Sequence, residues 1–221
     1  MKKTILTGQI ALIVVGAIFF TACVAPINTS FENARPLGRN TAEVMGNYSH
    51  YIVAFEGESE KMNDNFGIRL GYGLNENTDV KFRYEYMRAT DNEGSAQYLE
   101  FYPKIRMYKD HLAGMLPVGV YLYDGEEGTE TTFVISPRVL GSYAFNDHFE
   151  ATLGGKVDFY LEEDVDPTIA FNLGLGIGKN IKSSFSVRPE IAMLFDPGES
   201  DIYWSFSLGI CYPFSLKILN E

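Results

Sequence analysis

Charged residues recur at every second position in several stretches of this chain, and that spacing gathers them on one side of an extended strand. Lys81, Arg83 and Glu85 alternate with Phe82, Tyr84 and Tyr86. Glu100, Lys104 and Arg106 fall between Leu99, Phe101, Ile105 and Met107, Lys156 and Asp158 flank Val157, and Arg188 and Glu190 flank Pro189. Arg69 and Arg138 occupy equivalent positions in segments of their own, and Tyr98, Tyr102 and Tyr160 share the charged side. Bases and carboxylates collected on one face can do two things: pair into an ionic network that fills an enclosed space, or line a path for ions. At about ten strands a closed barrel is scarcely wider than one filled by its own side chains, so the packed network is the expected arrangement.

Other groups with chemical potential are fewer. His50 adjoins Ser49, His148 adjoins Asp147, and His111 stands in a turn. A histidine beside a serine or a carboxylate is the beginning of an acid–base or nucleophilic site. His111 and His148 fall in short turns, and only His50 approaches the end with the long loops, where it would still need a carboxylate or serine partner. The acidic runs Asp124-x-Glu126-Glu127 and Glu162-Glu163-Asp164-x-Asp166 carry hard oxygen ligands, which makes Asp124, Glu126, Glu162 and Asp164 weak metal candidates. They lack the spacing of a calcium loop and read as solvated loops, so no metal and no cofactor is expected. Gly174-x-Gly176-x-Gly178 lies inside an alternating stretch with no helix after it and is no phosphate loop. No basic stripe invites nucleic acid. An enzymatic role is not expected.

The elements that must hold these residues are strands. Ten segments show period-2 alternation, beginning near Thr41 and ending with Trp204 to Phe214, where Trp204, Phe206, Leu208, Ile210, Tyr212 and Phe214 interleave with Ser205, Ser207, Gly209, Cys211 and Pro213. Each segment has about the length a tilted strand needs to cross a bilayer, and no apolar run after Cys23 is long enough for a membrane helix. Connections alternate between short turns near Asn75, Asp110, Asn146 and Asn180 and five longer acidic loops. Those loops hold 17 Asp and Glu against Lys61 alone, more negative than the −11 of the whole chain, so the acidity collects at one end. The charged faces must point inward if the chain lies in a membrane, because a base in mid-bilayer costs roughly 2–4 kcal/mol. Pro103, Pro137 and Pro189 sit inside alternating segments, and bulges or unpaired positions are expected there.

The N-terminus carries its own signals. Lys2 and Lys3 precede an apolar stretch from Ile10 to Phe20, which reads as an export signal over residues 1–22. Phe20-Thr21-Ala22-Cys23 resembles a lipobox, the cleavage site at which bacteria acylate a new N-terminal cysteine, so lipidation is expected at Cys23. Residues 23–40 hold Pro26, Pro36 and Gly38 and read as a periplasmic tether, residues 41–214 as the barrel, and residues 215–221 as a short tail.

The end of the last strand, Ser207-x-Gly209-x-x-Tyr212-x-Phe214, resembles the C-terminal insertion signal of bacterial outer-membrane β-barrels. The resemblance to small outer-membrane barrel proteins implies an all-β fold: a closed, antiparallel, up-and-down transmembrane barrel of about ten strands, with eight or twelve as the alternatives. It implies the outer membrane of a Gram-negative bacterium, both termini in the periplasm and the acidic loops outside. It also implies outer-membrane lipid as surroundings and the barrel assembly machinery as a partner during insertion. The pattern matches neither the omptin proteases nor the lipid A deacylases. A non-enzymatic structural or accessory protein with a closed lumen is expected, with a protein subunit of an envelope complex as a candidate partner. The rival readings are a narrow, porin-like pore or a small-solute or lipid transporter, a soluble lipocalin-like lipoprotein with the alternation turned inside out, and a surface enzyme built on His50.

Overall fold

Every alternating stretch forms a strand, and the strands close on themselves. The computed structural model describes residues 25–55, 57–90, 94–125, 128–162 and 165–216. In chain order the strands are β1 (Thr41–Phe55), β2 (Glu58–Gly73), β3 (Thr78–Ala89), β4 (Ser95–Tyr108), β5 (Leu112–Met115) and β6 (Val118–Gly125). Then come β7 (Gly128–Ile135), β8 (Arg138–Ala144), β9 (Phe149–Tyr160), β10 (Thr168–Gly178), β11 (Ser186–Phe195) and β12 (Ile202–Ser215). β5 and β6 are the halves of one stave and β7 and β8 the halves of the next, so the wall has ten staves. Neighbours are antiparallel throughout, and β1 pairs with both β2 and β12, from Thr41 opposite Ser215 to Ala54 opposite Ile202, which closes the barrel.

Proline explains the two broken staves. Leu116-Pro117 separates β5 from β6 and Ser136-Pro137 separates β7 from β8, and the breaks lie side by side, because Met115 pairs with Arg138 and Val118 with Ile135. A proline nitrogen has no hydrogen to give to the ladder. The gap is partly bridged by the Ser136 N–H donating to the Pro117 carbonyl at 2.9 Å and the Val157 N–H to the Pro137 carbonyl at 3.2 Å. The expected irregularity thus occurs at Pro137. At Pro103 and Pro189 it occurs on one side only: they stay in register opposite Val80 and Leu208, but β4 is unpaired toward β5 and β6 between Phe101 and Lys104, and β11 is unpaired toward β10 between Val187 and Glu190. The register shifts occur elsewhere, at Tyr51/Ile52 and at Arg106/Tyr108.

The two faces of the wall are unlike in the sense that a bilayer requires. Phe101, Phe133, Leu153, Leu173 and Phe206 are about half exposed on the outside, whereas Arg69, Lys81 and Arg83 are at most 2% exposed within. A soluble lipocalin-like barrel would show the reverse, so that reading falls. Aromatic residues gather toward the ends of the apolar band: Tyr48 packs against Phe66 at 5.3 Å near the loops, and Tyr212 stacks on Phe214 at 6.1 Å near the short turns.

The largest departure from expectation concerns the segment before β1. Residues 25–40 do not hang below the barrel as a tether; residues 25–37 run inside it, and Ala25, Ile27, Thr29, Phe31, Glu32 and Ala34 are all at most 3% exposed. The segment has no hydrophobic period of its own because wall surrounds it on all sides, so apolar and polar residues are buried alike.

Candidate functional site

The lumen and the strand that threads it form the site. Near the long loops the Ala25 N–H donates to Asn63 Oδ1 at 2.9 Å and the Ile27 N–H to the Tyr121 hydroxyl at 3.1 Å. Around Ile27 stands an apolar collar of Met87, Ala89, Ala96, Tyr98, Tyr121 and Val134, with Tyr123 and Tyr160 against it. One step deeper the Lys156 ammonium donates to the Ile27 carbonyl and holds Asp158 at 2.5 Å, while Arg83 grips the Thr29 carbonyl and hydroxyl, each at 2.8 Å. At mid-barrel the Ser30 and Phe31 N–H groups both donate to the Glu190 carboxylate, at 2.5 and 2.7 Å.

Glu32 is the centre of the network. Its carboxylate receives Lys81 at 2.8 Å, Arg69 at 3.1 Å, Lys104 at 3.4 Å and the Tyr102 hydroxyl at 3.0 Å. Lys81 is shared with Glu43 at 2.7 Å and Lys104 with Asp79 at 3.0 Å, so the carboxylates and the cations interleave. Isolated, any of these charges would be prohibitively costly to bury; each is tolerated because its partners stand within contact distance. Toward the short turns the Ala34 N–H donates to Ser142 Oγ at 2.8 Å, Arg35 pairs with Glu150 at 2.9 Å, and the Leu37 N–H donates to Asp79 at 3.0 Å. The chain then enters the wall through Gly38, whose φ of +84° favours glycine and whose carbonyl crosses Gly73 where any Cβ would collide with it.

Of the charges singled out by alternation, Arg69, Lys81, Arg83, Glu85, Glu100, Lys104, Arg138, Lys156, Asp158, Arg188 and Glu190 stand on the inner face, none more than 7% exposed. Arg106 does not join them. It keeps the inward phase, opposite the buried Ala113, but stands at the short-turn rim, where it is 30% exposed, bonded to Asn77 and paired with Asp110 at 3.3 Å. Asp79 and Glu150, which alternation sets on the same faces as Lys81 and Lys156, are there too; Glu32, Arg35 and Glu43 were missed. A signal for them existed: the expected set held eight bases and four carboxylates, an excess of cations that an enclosed space cannot keep. With the rim residue Arg106 set aside and these five added, the described residues of the lumen hold eight formal charges of each sign.

The remaining candidates separate cleanly. His50 does meet a carboxylate, Asp64, at 2.8 Å, but on the outward face, where Asp64 also takes Lys61 at 2.8 Å and the Tyr48 hydroxyl at 2.7 Å. Ser49 points to the interior, 1% exposed and away from His50. His111 and His148 bond the Ser142 and Gly178 carbonyls within the short-turn end. Asp124 accepts from Ser95 at 3.3 Å; Glu126 and Asp164 lie outside the described residues. Among the described residues no group of three His, Cys, Asp or Glu stands together as a metal site. Cys23 and the export signal also lie outside the described residues. Of the terminal strand motif, Tyr212 and Phe214 face outward, while Gly209 faces inward beneath Phe31 of the threaded segment.

Such an exterior, wall and filled interior define a ten-stranded barrel of the membrane-spanning type. No protein-family model and no curated protein sequence matches the chain. Solved structures do. The chain is similar to an outer-membrane channel from Pseudomonas putida F1, at 10% identity and a TM-score of 0.50, covering 86% of this chain and 100% of that one. It is also similar to the translocator domain of the autotransporter NalP from Neisseria meningitidis, at 11% identity and a TM-score of 0.45, over 78% and 88% of the two chains. A third is Ail, the attachment invasion locus protein of Yersinia pestis, at 12% identity and a TM-score of 0.37, over 80% and 99%. At these identities the likeness is one of fold.

Proposed function

We propose that the protein is a non-enzymatic barrel of the Gram-negative outer membrane, sealed by its own N-terminal segment, with a structural or accessory role in the envelope. The observation that carries this reading is Glu32, a residue of the threaded segment, surrounded by Arg69, Lys81 and Lys104 in the middle of the lumen. A permeation path would have to run through that cluster. Beside it, between Phe31, Glu32, Thr152 and Arg188, the free space is about 10 Å³, room for about one water molecule. The open space of about 630 Å³ lies instead at the short-turn mouth, between Arg35, Arg106, Lys109 and Lys182, and ends at the Arg35–Glu150 pair.

In this reading the short turns face the periplasm and the acidic loops the exterior, as in barrels whose longer connections are extracellular. Outer-membrane lipid covers the apolar band, and the barrel assembly machinery reads the Tyr212 and Phe214 end of β12 during insertion. A protein subunit of an envelope complex is the expected lasting partner. Two measurements test the reading. In planar bilayers the intact protein should show no steady conductance, whereas a chain lacking residues 25–36 should conduct if its wall still closes; a large, steady current from the intact protein would establish a pore. Purification of the tagged protein in mild detergent should bring down a stoichiometric companion, and a barrel recovered alone would remove the accessory role.

A further inference from the structure

The contacts of the threaded segment have an order. From Ala25 to Leu37 its successive partners are Asn63 and Tyr121, then Lys156 and Arg83, then Glu190 and Arg69, then Lys81 and Lys104, then Ser142 and Glu150, and last Asp79. Along the wall those partners descend from the loop end to the short-turn end without reversal. A plug that entered from the short-turn end and folded back would meet each level twice, and this one meets each level once. Its reach is also right: from Ala25 to Leu37 an extended chain spans about 40 Å, more than the roughly 30 Å of a bilayer's hydrocarbon. At the level of Ala25 three strands of the wall reach their ends, β3 at Ala89, β4 at Ser95 and β9 at Tyr160, all residues of the collar or its immediate neighbours, while the β1–β2 hairpin runs on past Asn63 to Phe55 and Glu58.

We propose that the N-terminal segment is threaded through the barrel from end to end, so that the mature N-terminus, and with it the acyl group on Cys23, is held on the side of the acidic loops, opposite to the short turns and the end of β12. The acyl part rests on the lipobox reading; the threading does not. Ten strands bring the two ends of the wall, Thr41 and Ser215, to the short-turn side together. The lumen then carries the chain start across to the other side. Cys23 lies two residues before Ala25, within about 7 Å of chain reach, so a lipid on it belongs to the loop-side leaflet. Such a lipid also acts as a bolt. At Thr41 the segment continues into the wall and cannot be drawn out, and a diacylglyceryl group at the other end would have to pass the mid-lumen level of Glu32, where Arg69, Lys81 and Lys104 crowd the segment.

The test compares sidedness within one protein and so does not depend on which way the barrel faces. An epitope is inserted between Val24 and Ala25 in one full-length chain, at Gly198 in a second and at Lys182 in a third. Gly198 is a loop position with nothing within 4 Å of its added Cβ, and Lys182 lies in a short turn. Antibody binding is measured on intact and on permeabilised cells. The N-terminal epitope should behave like the one at Gly198; behaviour like that at Lys182 overturns the threading. Where an insertion prevents folding, cysteine pairs replace it in a Cys23→Ser, Cys211→Ser chain. Ala25→Cys should cross-link to Asn63→Cys with a short bismaleimide, and cross-linking to Asp79→Cys instead overturns the proposal. Metabolic labelling with an alkyne fatty acid tests the acyl part separately: label lost in Cys23→Ser supports it, and an unlabelled intact chain removes the bolt while leaving the sidedness result to stand.

Discussion

Among the described residues Glu32 has no counterpart, because three cations of the wall depend on one side chain that belongs to none of the strands. Replacing it by Gln leaves Lys81, Lys104 and Arg69 with too little counter-charge in a closed space, a change that costs about 3–5 kcal/mol where a buried pair is broken. The temperature at which the folded gel band converts to the unfolded one should therefore fall sharply in Glu32→Gln. Adding Lys81→Met should recover part of the loss, since one uncompensated charge is then removed. A second residue acts in the opposite sense. Asp196, in the loop between β11 and β12, has its carboxyl pushed above the usual range by burial and by the neighbouring Glu199, Asp201 and Asp166. A carboxyl that binds its proton more tightly in the folded form withholds stability at neutral pH and returns it as the pH falls through the raised value. Asp196→Asn should thus slow proteolytic nicking of that loop at neutral pH, and the advantage over the unaltered protein should disappear in acid.

Among the elements, the lipid-facing strands and the proline-broken staves make separate predictions. Leu173 sits midway along β10, half exposed on the outer face between Leu153 and Ile191. Leu173→Arg should cost about 2–4 kcal/mol in vesicle-folding titrations, the penalty for a base near the bilayer midplane. The staves broken at Pro117 and Pro137 lie side by side and lack two ladder donors. In detergent, backbone hydrogen exchange at residues 116–118 and 135–138 should therefore outpace that of the β1–β12 seam, where fourteen consecutive register pairs run without a shift. The consequences of the prolines were legible in part: Pro103, Pro137 and Pro189 all stand where pairing lapses on at least one side, as alternation with a missing N–H implies. Pro117, in a glycine-containing run with a blurred period, also breaks its stave, which the sequence did not announce.

At the scale of the whole molecule, charge balance ties wall and plug together: among the described residues, eight formal positive and eight negative charges stand in the lumen, with a strongly acidic loop end outside it. The sequence by itself determined the strands, their number, the closed antiparallel wall and the direction in which each face points, because period 2 and the cost of exposing a charge to hydrocarbon are local facts that every strand repeats. Of the twelve charges nominated by alternation, eleven are buried on the inner face and Arg106 lies at its rim. Only the tertiary structure decided that residues 25–37 lie within the lumen and that Glu32 and Glu43 complete its ionic network. A segment wrapped by wall on all sides has no polar and apolar face, hence no period to read, and the partners of its side chains stand up to 175 residues away along the chain.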